Sequence, residues 1–223
     1  MTSPAASPLG LTRVEPASRR EGVINEIRRA VVTGQLLTEA KLADELGVSR
    51  PTVREALGQL ARDGWVVQVP YAGMTVATLS EQDIRDVAEL RTTLDLLALR
   101  SIYADPSGAR LDRVAAAWQQ LDADAHDDDA LVRHDAHVAF HRALWEASDN
   151  AMLVRMWPAM EANLTLAVAE DQAARPDPSR VRTQHKALLE AIVSRDAERA
   201  QRALIEHTVG NAEEFVELLR DGE

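Results

Sequence analysis

Apolar residues recur at helical spacing along most of this chain. Val23, Ile27, Ala30 and Val31 mark one face of a helix from about 19 to 34. Leu42, Ala43 and Leu46 mark a short second helix, closed by Gly47. Ser49 then offers a capping hydroxyl, and Val53, Ala56, Leu57 and Leu60 follow on one side of a third helix that ends before Gly64. The pattern next changes to β-type runs, Trp65–Val69 and Met74–Thr78, separated by Pro70, Tyr71, Ala72 and Gly73. Three helices followed by a two-stranded hairpin is the order of a winged helix-turn-helix.

From Ser80 onward the period is helical only. Six helices are predicted near 81–104, 107–126, 129–148, 150–173, 178–194 and 196–219, with breaks such as Asp105-Pro106-Ser107-Gly108 and Arg175-Pro176-Asp177-Pro178 between them. The expected class is therefore mainly α: a winged helix-turn-helix over 19–78, then an antiparallel bundle of six to seven helices over 79–223. Residues 1–18, rich in Thr, Ser, Pro and Ala without an apolar core, read as a disordered leader and not as a secretory signal. The link Thr78-Leu79-Ser80 is short, which favours mechanical coupling between the two parts over a free tether.

Charge changes the picture only after it is divided. The chain carries −11 over 223 residues, an awkward balance for a nucleic-acid binder. Residues 19–78, however, hold eight Lys/Arg against seven Asp/Glu, and the excess acid lies beyond them. Cysteine is absent, which excludes disulfides and thiolate metal sites and fits a cytoplasmic protein. No run of 18 apolar residues is present, so no membrane span is predicted.

The position of the arginines says more than their number. Opposite the apolar side, the third helix presents Pro51, Arg54, Glu55, Gly58 and Arg62, with Arg50 and Thr52 at its start. A first turn bearing Arg, Thr and Arg places guanidinium forks where they reach guanine edges or phosphates in a major groove. Gly73, at the hairpin tip, would let the backbone approach the adjacent minor groove.

In the second part four of six histidines fall into a pattern. His137 and His141 project from one face, one turn apart. His185 and His207 lie about 15 and 18 Å from the turn between the last two helices, at 1.5 Å per residue, and so stand level. If the His137 face packs there, up to four imidazoles converge, a donor set suited to Zn, Ni, Cu or Fe. Arg91 lies on the stripe Ile84, Val87, Arg91, Leu94, Ala98, where an apolar residue is expected. A buried arginine needs an anion, either Asp95 one turn on or the carboxylate of a bound effector.

Two stretches resemble a known family. Glu45-Leu-Gly-Val-Ser-Arg-Pro-Thr-Val-Arg-Glu-Ala-Leu57, Leu60-Ala-Arg-Asp-Gly-Trp65, and Pro70-Tyr-Ala-Gly73 with Val76-Ala-Thr-Leu-Ser80 resemble the GntR winged-helix regulators, the FadR-type branch especially. That resemblance implies DNA contacts from Ser49, Arg50, Thr52, Arg54 and Gly73. Phe140-His141-Arg-Ala-Leu144 with Ala147-Ser-Asp-Asn150, and His185-x-x-Leu-x-x-Ala-Ile192 with Asp196, Ala200 and His207, resemble the FCD ligand domain of that branch. Its metal-binding members add an Asp to three histidines; carried over, the three are His141, His185 and His207, and the Asp position is His137 here. Asp135 points about 200° away round the helix and does not replace it. An all-nitrogen site should favour Zn or Ni over Mn or Mg, and a metal-free pocket binding an anionic effector is the alternative. The FCD resemblance also implies an arginine at position 91 and a small organic acid as effector. One departure is the turn Gly34-Gln-Leu-Leu-Thr-Glu39, several residues shorter than the family's, which bears on how the first helix packs.

The chain is thus expected to be a homodimeric regulator, a repressor, that binds double-stranded operator DNA under effector control, since one recognition helix reads only half of a palindrome. A metalloenzyme would need a general base near the histidines, where the helix faces offer Ala, Val and Leu instead. An architectural DNA binder would need more basic surface than the acidic second part provides.

Overall fold

The computed structural model describes residues 19–33, 38–69, 73–175 and 177–221; the expected leader, the short turn after the first helix and the hairpin tip lie outside the described residues. The chain divides into two compact units between Thr78 and Leu79.

In the first unit, helices α1 (Arg19–Val32), α2 (Glu39–Leu46) and α3 (Arg50–Arg62) precede strands β1 (Val66–Val69) and β2 (Gly73–Val76). Local chemistry sets the ends of α2 and α3. The Thr38 hydroxyl accepts from the Lys41 amide, and Gly47 closes α2 with φ 62°, a left-handed conformation that a side chain disfavours. Ser49 caps α3 by accepting from the Thr52 amide, and Pro51 occupies its first turn, where no intrahelical donor is lost. Val23, Ile27, Ala30 and Val31 of α1 are buried with Leu42, Leu46, Val53, Leu57 and Leu60. The shortened turn therefore still lets α1 pack on α3. Strands β1 and β2 pair antiparallel with Val66 opposite Val76 and Val69 opposite Gly73. Gly73 is thus the first rung of the ladder, beside the tip and not at its apex.

The second unit comprises α4 (Glu81–Tyr103), α5 (Ala109–Asp124), α6 (Ala130–Ala147), α7 (Ala151–Ala174), α8 (Pro178–Val193), α9 (Ala197–Ile205) and α10 (Asn211–Asp221). A capping box starts α4: Ser80 and Asp83 satisfy each other's backbone amides. Asp129, Asn150, Asp177 and Asp196 cap α6, α7, α8 and α9 by a side-chain oxygen that accepts from a first-turn amide. The main core gathers Phe140, Leu144, Trp145, Leu153, Trp157, Ile192 and Leu204, all nearly inaccessible, with Trp118 packed at its edge.

The expected single helix over 196–219 is interrupted. Residues Glu206–Gly210 form one π turn between α9 and α10. The Asn211 amide reaches back five residues to the Glu206 carbonyl, while the Asn211 side chain donates to the His207 carbonyl at 2.9 Å. Apolar periodicity does not register a single inserted residue, because stripes on either side remain helical.

Candidate functional site

The first candidate surface is the exposed side of α3. Its apolar side is docked: Val53, Ala56, Leu57 and Leu60 are buried. Ser49, Arg50 and Arg54 are exposed, and Thr52 is half-buried. Ser49 Oγ and Thr52 Oγ1 lie 2.8 Å apart, so the cap orders both hydroxyls at the helix start. Arg54 is 71% exposed and donates to Glu39 of α2 at 2.7 Å. Such an exposed pair is weak enough to be exchanged for a phosphate or a base edge.

The second candidate is built from three helical segments of the other unit. Helix α6 supplies His137 and His141, α8 supplies His185, and the π turn supplies His207. Ring centroids are 4.3 Å apart for His137–His185, 4.4 Å for His185–His207 and 5.1 Å for both His137–His141 and His141–His207. Ligating nitrogens of His137, His141 and His185 all lie within 4.8 Å of one another. Nε2 of His141 is 3.0 Å from Nε2 of His185 and 3.4 Å from Nε2 of His207. Two nitrogens each about 2.0–2.1 Å from one cation stand roughly 2.9–3.4 Å apart, so these spacings fit a shared ion. His185 Nδ1 lies 2.7 Å from the Val181 carbonyl, and only a protonated Nδ1 suits that contact. Its Nε2 lone pair is therefore turned toward the cluster, the orientation that a ligating histidine needs. Burial, followed by neighbouring rings and Arg91, holds His137, His141 and His207 well below the ordinary histidine range. Burial takes His185 to about 3, despite the opposing effect of its bond to Val181. All four rings are thus neutral and able to donate lone pairs.

Arg91 is buried beside this cluster with two partners. Its Nε donates to Asp95 at 3.2 Å, and its Nη2 lies 2.9 Å from Nδ1 of His141. Asp95 accepts a second bond from Trp145 Nε1 at 2.6 Å. Burial pulls the guanidinium's pKa down and pushes the carboxyl's up, and their mutual attraction opposes both. The bland partner expected for Arg91 is present, and the same guanidinium also borders the cavity.

That cavity, about 90 Å³, is bordered by Arg91, His137, His185 and His207, whereas His141 lies behind it, 1% exposed. Asp171, Arg180, Gln184 and Asn211 also line it. Sequence reasoning missed these four. Asp171 and Arg180 flank the break between α7 and α8 and become an ion pair only when the chain folds back. Gln184 and Asn211 are 27 residues apart and meet at 2.7 Å. The metal-sized group holds His137, His141 and His185; His207 lies outside it, as does His134, fully buried one turn before His137, and His126 is exposed.

Comparison with known proteins covers both units of the chain. The FCD domain model matches residues 86–210, more than half of the chain, and the model for bacterial regulatory proteins of the gntR family matches residues 20–76. A protein named as the probable D-xylose utilization operon transcriptional repressor of Paenarthrobacter nicotinovorans is 29% identical over 201 residues, covering 88% of this chain and 87% of its own. The gluconate operon transcriptional repressor of Bacillus subtilis is 24% identical over 190 residues, covering 81% and 78%. Among solved structures, a GntR-type protein from Rhodococcus sp. RHA1 superposes with a TM-score of 0.71 at 22% identity, covering 90% of this chain and 98% of that one, which shows the shared fold. With a gntR-type helix-turn-helix followed by an FCD domain, this chain belongs to the GntR family of transcriptional regulators.

Proposed function

We propose that this regulator is a homodimeric, cytoplasmic repressor whose grip on an operator is set by a small carboxylate bound in the histidine pocket beside a divalent metal. The carrying observation is the convergence of four neutral imidazoles beside Arg91, three of them, His137, His185 and His207, on one cavity, in a chain that also bears a gntR-type DNA-binding unit. Ser49, Arg50, Thr52 and Arg54 meet the duplex from the exposed side of α3, and Gly73 brings the hairpin backbone close to it. Dimerisation follows from the half-site reach of one recognition helix.

In the pocket, His137, His141, His185 and His207 would hold the ion, which supplies a Lewis-acidic point for an acid's oxygen. With only nitrogen donors, Zn or Ni is favoured over Mn or Mg. Arg91 contributes a fixed positive charge next to that point. Effector binding resets operator affinity by stabilising one arrangement of the dimer over another.

One observation favours a metal-free reading as the second choice. Arg91 can only donate, so its contact with Nδ1 of His141 leaves the His141 proton on Nε2, directed at His185. In that state the rings and Arg91 form a hydrogen-bonded anion receptor. Metal analysis of the purified chain separates the two readings. One equivalent of Zn or Ni, lost in His141→Ala and in His185→Ala, supports the metal centre; no uptake at all supports the receptor. Gel shifts on the DNA upstream of the protein's own gene then test control. Specific binding that neither metal nor any small acid alters would sink the sensor assignment while leaving the DNA reader standing.

A further inference from the structure

The lining of this cavity changes character along its length. Ile84 and Val87 of α4 lie one to two turns before Arg91. Phe215 of α10 lies about two turns after His207 and is buried against Ile84. The Thr92 and Thr208 hydroxyls, which meet across α4 and the π turn at 2.5 Å, hold Arg91 and His207 at one level. One end of the cavity is therefore cationic and imidazole-lined. The other, about 10 Å away at 1.5 Å per residue, carries the side chains of Ile84 and Phe215 with Leu164 and Val168 of α7 in the wall, and the Asp171-paired Arg175 guanidinium covers the Phe215 ring at 5.9 Å. The remaining polar groups are largely committed to each other. Arg180 is paired with Asp171 and bonded to Gln184, and Gln184 donates to Asn211. Among the described residues that line the cavity, one buried side-chain N–H, that of Arg180 Nε, lacks an acceptor.

We propose that this pocket selects a carboxylate with a short unsubstituted hydrocarbon tail over a hydroxylated acid of the same length, with Ala167 and Ala212 setting the length of tail admitted. The inference rests on the carboxylate-effector reading above and specifies its chemical class. The head lies at the Arg91 and histidine end, and the tail runs toward Phe215. A polyhydroxy tail would leave water for a wall that offers one free donor, an exchange that costs affinity. The volume accommodates about six water-sized groups, which suits an acid of about four to five carbons. Ala167 and Ala212 both face the cavity and are only partly covered, so their missing side-chain atoms are part of the space.

The test is calorimetric titration of the full chain, with and without Zn, using acetate, propionate, butyrate and pentanoate, with threonate as the hydroxylated match for butyrate. Each added methylene should tighten binding about fourfold, or roughly sixtyfold from acetate to pentanoate. Threonate should bind at least about tenfold more weakly than butyrate. Ala167→Leu, checked for folding by circular dichroism, should flatten the series by weakening pentanoate while sparing acetate. A flat series in the parent chain, threonate equal to butyrate, or an unchanged slope in Ala167→Leu overturns the proposal. Failure of every acid to bind, with and without metal, sinks the carboxylate-effector reading itself.

Discussion

Two arginine–carboxylate pairs, one in each unit, show how burial changes the behaviour of the same chemistry. Arg54 and Glu39 meet on the exposed side of the first unit, with side chains 71% and 32% accessible. Arg91 and Asp95 meet inside the second, 9% and 1% accessible. Water competes for every bond of the first pair, so holding it together contributes little and releasing it costs little. The second pair is largely shut off from water, and Asp95 is also the acceptor for Trp145. An arginine that must change partners when DNA arrives belongs at the first kind of site. One that must hold its charge at a fixed point for a small ligand belongs at the second.

The sharpest way to break this contrast is to remove the buried carboxylate. Asp95→Ala leaves the Arg91 charge and the Trp145 N–H without their acceptor, and urea unfolding should show a loss of about 3–5 kcal/mol in the helical unit. A loss below about 1 kcal/mol would mean that Arg91 finds water in its place.

The next effect comes from pH. His185 is held at about 3 in the folded chain against an unfolded value near 6.5. Between those values the unfolded state binds more protons, so stability rises with pH across that window. The metal-free chain should therefore keep its full stability above pH 6.5 and lose on the order of a few kcal/mol as pH falls toward 3. Thermal melts across that range check this, and His185→Gln should reduce the slope.

On the exposed pair the effects are smaller and fall on binding. Arg54→Ala should weaken specific operator binding by about 1–3 kcal/mol in gel shifts and leave the unfolding midpoint nearly unchanged. The smallest change should come from Glu39→Gln. Releasing Arg54 in that variant should alter stability by about 0–1 kcal/mol, and it should tighten DNA binding slightly at low salt. A stability loss as large as that of Asp95→Ala would erase the distinction between the two pairs.

Much of this architecture could be read before any coordinates. The cap at Ser49 stands next to the run it starts, and amphipathic spacing marked the buried faces of α1, α3 and α4. Strand boundaries were less legible: β2 begins at Gly73 and ends at Val76, because pairing with Val69 and Val66 decides where the ladder runs. His137, His141, His185, His207 and Arg91 were marked by residue type and spacing. The π turn, the opposition of Asp171 to Arg180 and the bond between Gln184 and Asn211 had no sequence signal.

The amino-acid order alone therefore determined elements whose causes are local: hydrophobic period, capping hydroxyls and carboxylates, and an arginine-bearing helix start. It also named the imidazoles as a set. Tertiary packing decided what they form together, namely nitrogens 3.0–3.4 Å apart, an arginine shared between Asp95 and His141, and a cavity that brings Arg91 and three of the imidazoles together with Ile84, Val87 and Phe215. The division is physical. Helix starts and stripes depend on residues a few positions apart, whereas a site depends on the approach of α4, α6, α8 and the π turn, whose separations no local spacing encodes.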